Sequence, residues 1–199
     1  MAVLAALILT VTGALKRKAI LSRVQAEQAQ VQTAIESYKS KLGFYPPDNP
    51  GNPVVNQLYF ELSGTVMNGA AYQTLDGSAD IPANRALKDF GAGFMNVTRG
   101  AGGDEGAVAV NFLKGARSDQ GVIAPVDASA PRLKLLAVSL PWPQNLPPPS
   151  PGAPGLNPWR YVSSNPTNNP NSYDLWVDIV IARKKYRISN WSKTPEIVP

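Results

Sequence analysis

Polar and apolar positions divide the start of the chain into two regimes. Residues 1–15, MAVLAALILTVTGAL, carry no charge and only two hydroxyl side chains, Thr10 and Thr12. The cluster Lys16-Arg17-Lys18 then ends the apolar run abruptly. Beyond it Ile20, Val24, Val31, Ile35, Tyr38 and Leu42 recur at spacings of 4, 7, 4, 3 and 4, which is one face of an α-helix. Gln, Glu, Lys, Arg and Ser hold most of the other positions. No proline falls within residues 1–45, and Gly43 ahead of Pro46-Pro47 is a stop signal. The pattern predicts one continuous helix over 1–43, apolar all round through residue 15 and amphipathic over 16–43. At a rise of about 1.5 Å per residue it is roughly 60 Å long.

An apolar run of this length is too short to cross a bilayer core alone, which takes about 20 residues. Three readings of it stand side by side: a signal-peptide core, a helix buried inside the protein, and a membrane helix that begins upstream of Met1. A signal peptide carries its basic residues before the apolar run and a small-residue cleavage site after it, the reverse of the order here.

After the helix, PPDNPGNP over 46–53 is a turn-rich hinge. Val55, Leu58, Tyr59 and Leu62 at i, i+3, i+4 and i+7 predict a short helix over 54–62, capped from Asn52. Nine glycines break every period between 64 and 107, leaving a short helix over 83–90 in otherwise irregular chain. The apolar runs 108–113 and 133–140 read as short strands. Eight prolines within 141–158 point to polyproline II, a surface loop leading into the last sheet. There Leu175, Val177, Ile179 and Ile181 alternate along one face, the chain turns near Arg183-Lys184, and Tyr186 and Ile188 alternate back, which is a hairpin. Residues 160–162 supply a third strand. The expected fold is α+β: a long N-terminal helix (1–43), a long irregular middle (44–156), and a small C-terminal antiparallel sheet (157–199) covered by the amphipathic half of the helix.

Two groups of residues carry a family resemblance. Ala34, Tyr38, Gly43, Tyr45 and Pro46 stand in the pattern A-x-x-x-Y-x-x-x-x-G-x-Y-P that closes the N-terminal helix of type II secretion pseudopilins and type IV pilins. Near the other end, Pro158-Trp159 with Tyr161, then Tyr173-Asp174-Leu175, then Asn190-Trp191 resemble, in order, the motifs of major pseudopilins. The resemblance implies a pilin-like structural subunit of a periplasmic pseudopilus, with copies of itself, other pseudopilins and an inner-membrane secretion platform as partners. It implies a single-pass helix in the bacterial inner membrane, the C-terminal domain in the periplasm, and Met1 lying partway along a longer helix. Leu4, Ala5, Ala6, Leu7, Ile8 and Val11 then pack in the filament core, where small residues permit close approach. Ile20, Val24, Val31, Ile35, Tyr38 and Leu42 form the face on the globular domain. The family's processing signal has no counterpart in the chain, and Lys16–Lys18 would lie outside, although Lys and Arg usually mark the cytoplasmic side. Alternatives are a type IV pilus or minor pilin subunit, used for adhesion or DNA uptake, and a membrane-tethered periplasmic binding module using the Pro-rich or Gly-rich segments.

Composition narrows the chemistry. The chain has 199 residues, a net charge of +5 and a pI near 9.5, but its basic residues are spread out and no recognition-helix or aromatic-basic pattern indicates nucleic acid. With neither histidine nor cysteine, Ser-His-Asp and Cys-His catalysis and His- or Cys-ligated metal are excluded within this chain. No phosphate loop appears, and GAGGDEG over 100–106 reads as a loop. The chain is expected to be a structural subunit and not an enzyme. The resemblance also raises calcium near the C-terminal strands. Calcium needs several oxygen ligands, and residues 177–190 offer Asp178 amid Arg183, Lys184, Lys185 and Arg187, so no cofactor and no metal ligand is assigned.

Overall fold

The computed structural model describes residues 2–98, 108–114, 121–124, 133–149 and 155–199, with the backbone alone for 2–12 and 121–124. The chain is an α+β fold. Its first element, α1, is an unbroken helix over Ala2–Leu42. Gly43 ends it in the left-handed region at φ 88°, its N–H returning to the Lys39 carbonyl at 2.8 Å, the conformation a glycine adopts without strain. Val24, Val31, Ile35 and Tyr38 are buried, and Ile20 and Leu42 pack half-buried against the same cluster. The gap of seven between Val24 and Val31 is filled by a buried polar pair. Glu27 accepts the Ser139 N–H at 2.9 Å and its hydroxyl, and Gln28 donates to the Leu175 carbonyl at 3.3 Å.

Beneath α1 lies an antiparallel sheet of β7 (Arg160–Val162), β8 (Asp174–Ile181), β9 (Lys184–Ser189) and β10 (Glu196–Val198), in the order β10-β9-β8-β7. The β8–β9 register runs from Trp176 opposite Ser189 to Ile181 opposite Lys184. Leu175, Val177 and Ile179 alternate onto the buried face with Tyr186 and Ile188, as the period of two requires. The three strands expected from alternation are present. β10 is additional: Glu196-Ile197-Val198, set between Pro195 and Pro199, shows no alternation of polar and apolar positions. Ala182 and Arg183 form the hairpin turn with φ 50° and 65°.

The middle of the chain is more ordered than its glycines suggested. After α2 (Leu58–Ser63), the strands β1 (Thr65–Asn68), β2 (Ala71–Thr74) and β3 (Asp80–Pro82), the helix α3 (Ala83–Phe90) and β4 (Val97–Thr98) build a second four-stranded sheet in the order β3-β2-β1-β4. The expectation of an irregular middle is therefore corrected over 58–98. Gly69 at φ 59° and Ala70 turn β1 into β2, with Asn68 paired opposite Ala71, a two-residue hairpin loop with glycine at its first position. Phe60, Phe90, Phe94 and Tyr72 pack in one aromatic cluster, with Phe60 stacked on Phe94 at 4.8 Å. α2 begins four residues later than expected: Asn52 and Asn56 hold the approach in turns, accepting the N–H groups of Val55 and Leu58.

Residues 108–113 are not a strand. Their N–H groups go to side chains and to α2: Ala109 to Thr98 Oγ1, Val110 to Asn96 Oδ1, Phe112 to the Leu62 carbonyl. The strand expected over 133–140 is shorter, β6 at Leu133–Leu136, and pairs with β5 (Gly121–Ala124). Of the Pro-rich segment, 150–154 lie outside the described residues, as does the loop 100–106.

Candidate functional site

Several residues that carry the resemblance, distant in sequence, meet in one place: Tyr45, Pro46, Tyr161, Tyr173 and Asn190. α1 delivers Tyr38 and, just past Gly43, Tyr45 and Pro46. The Pro46 carbonyl accepts the hydroxyls of Tyr161 and Ser163, each at 2.8 Å. Tyr173 packs its ring on Tyr45 at 5.0 Å and on Tyr161 at 5.8 Å. Lys39 stands 3.9 Å over the Tyr45 ring, a cation–π contact that ties the last turn of α1 to the hinge. Burial pushes the hydroxyls of Tyr38, Tyr161 and Tyr173 well above the ordinary tyrosine value, so each remains a neutral donor.

Asn190 is the other pin of this junction. Its Oδ1 accepts the Leu175 N–H at 2.9 Å, and its Nδ2 donates to the Tyr173 carbonyl at 2.8 Å. Trp191, half-buried, packs edge-on against Trp176 at 5.7 Å. Trp159 is fully buried, its N–H on the Leu136 carbonyl and its own carbonyl accepting from Asn56. Pro158 bridges to Ala137. Leu175 is wholly inside, and Asp174 is buried with only neutral donors around it. Tyr45, Pro46, Tyr161 and Tyr173, with Asn190 on the Tyr173 carbonyl, thus clamp the end of α1 to the C-terminal sheet, while Pro158, Trp159 and Trp191 pack on Ala137, on Leu136 and Asn56, and on Trp176.

Sequence reasoning passed over two carboxylates. Glu61 on α2 is completely buried and accepts from Tyr38 Oη at 2.9 Å, Met95 N at 2.8 Å and Asn96 N at 3.0 Å. Burial raises its pKa, opposed by these three donors. Asp48, also buried, holds Ser163 and Ser164. No local pattern marks either one, because the partners are 23 to 116 positions away. Asp178 is taken by Arg187 in a two-pronged pair at 2.8 and 3.0 Å. Among the described residues no cluster of three acidic groups could hold a metal ion.

Along α1, a cleft of about 230 Å³ is lined by Val31, Thr33, Ala34, Phe112, Leu136 and Trp159. Residues 13–19 at the proximal end are exposed, Leu15 among them. The side chains of Leu4, Ala5, Ala6, Leu7, Ile8 and Val11 lie outside the described residues. Among the described residues, no helix is long and apolar enough to cross a membrane. In comparison with known protein families, curated proteins and solved structures, the chain matches no family model, no curated protein and no solved structure.

Proposed function

We propose that the protein is a structural, pilin-like subunit, of the kind that assembles a periplasmic pseudopilus for type II secretion, held in the inner membrane by the apolar half of α1 until it polymerises. The observation that carries this reading is the exposed stretch 13–19 that separates the apolar run of α1 from its packed part. The helix starts at Ala2; among its described side chains, residues 13–19 are exposed and packing against the core begins at Ile20. Some 27 Å of helix therefore lies ahead of the packed part. That segment begins with an uncharged apolar run. Such a surface needs a cover, and lipid followed by copies of the same helix supplies one. Of the exposed positions farther along α1, Ser22, Ala26, Ala29, Thr33, Ser37 and Ser40 recur at spacings of three or four and are small, flanked by Arg23, Gln30, Glu36 and Lys41; this narrow stripe suits close approach of neighbouring helices.

The chain has no cysteine of its own, so introduced ones report cleanly. Leu4→Cys combined with Val11→Cys, oxidised in the membranes of producing cells, is expected to give a ladder of multimers. Adding Ala6→Trp is expected to abolish the ladder while the melting temperature of the folded domain stays unchanged. Monomers alone from the double-cysteine protein would overturn the reading and favour a tethered binding module.

A further inference from the structure

The loop between β7 and β8 points its donors inward. Three successive backbone N–H groups, of Thr167, Asn168 and Asn169, converge on the Asp174 carboxylate at 3.0, 2.9 and 3.0 Å. The side-chain amides of Asn168 and Asn169 add contacts at 2.9 and 3.3 Å. At the start of the same loop, Ser163 N, Ser164 N and Ser164 Oγ close on Asp48 Oδ2 at 3.0, 3.2 and 2.9 Å. Both carboxylates are buried, and none of these donors is a cation. Consecutive N–H groups facing one point make a concavity that attracts anions. A divalent cation needs the opposite lining, six or more oxygens turned inward for calcium. Here hydrogens face the centre, and the acidic side chain that could have served as a ligand is consumed by them.

We propose that the β7–β8 loop is an anion cradle occupied by the chain's own Asp174, with Asp48 as a second, smaller one, and that its order is independent of divalent cations. The inference stands on this geometry alone and does not rest on filament assembly. Calcium, which the family resemblance raises near the C-terminal strands, does not fit the donors that this loop presents. Closing the loop with a carboxylate fixed in the chain keeps the junction around Tyr45, Tyr161 and Tyr173 assembled at any cation concentration.

The test uses thermal melts of the full chain in detergent. The parent protein is expected to melt at the same temperature in EDTA, in millimolar calcium chloride and in neither; a fall in EDTA or a saturable rise with calcium would overturn the proposal. Asp174→Ala is expected to lower the melting temperature by roughly 5–10 °C, the loss of a charge-assisted set of hydrogen bonds in a chain of this size. Sodium acetate or formate should then recover part of that loss in a saturable way, where equal sodium chloride and calcium do not. Recovery by calcium, or acetate acting no better than chloride, would count against the cradle. Asp48→Ala provides the same reading if Asp174→Ala does not fold.

Discussion

Glu61 is an ionisable group with no cation beside it among the described residues, held by one phenol and two backbone amides. Burial favours its neutral form, so the native state binds this proton more tightly than the unfolded chain does. Its contribution to stability is therefore complete below the ordinary glutamate value of 4.5 and is lost as pH rises through the raised native value. Urea melts across that window are expected to show stability falling with pH, and Glu61→Gln to flatten the slope. Tyr38→Phe removes a single donor and is expected to cost about 1–2 kcal/mol. An unchanged slope in Glu61→Gln would assign the pH dependence elsewhere. The YFELS stretch gave no hint of this role, since in sequence it resembles any amphipathic turn.

At the scale of elements, the β8–β9 turn is made by two residues that both tolerate positive φ poorly, Ala182 at 50° and Arg183 at 65°. Asn-Gly fits such a turn without strain, so the double change Ala182→Asn, Arg183→Gly is expected to raise stability by about 1 kcal/mol, read from the denaturant midpoint. A loss instead would mean that the Arg183 side chain supports the hairpin. The two helices α1 and α3 and the C-terminal hairpin were legible because each is long enough to repeat its period, or is stopped by a clear glycine. The second sheet was not, since β1 to β4 have at most four residues each. Its turn glycines were nevertheless in plain view: Gly69, at φ 59°, opens the two-residue loop that joins β1 to β2, and Asp76-Gly77 sits in the next turn, with Gly77 at φ 69°. Residues 108–113 misled in the other direction, their apolar character coming from packing beside α2 while side chains satisfy their backbone. The junction of the motif residues was foreshadowed only as a list of residues; its geometry depends on hydrogen bonds spanning more than a hundred positions.

For the whole molecule, the feature with the widest reach is that α1 runs from the uncharged run to the clamped hinge without a break, since Gly13 lies within its helical span. A continuous helix transmits rotation. Under the proposed assembly, the angle at which each globular body faces outward is set by the phase between positions 4–11 and the face Ile20–Leu42. One residue inserted between Leu15 and Ile20 would turn the body by about 100° about the helix axis, whereas seven would bring it back to within about 20°. Under the proposed assembly, the cysteine ladder should vanish with the first insertion and return with the second, although neither touches a residue of the folded domain. The helix then acts as an angular index as much as an anchor, dictating which side of the domain every copy presents to its neighbours.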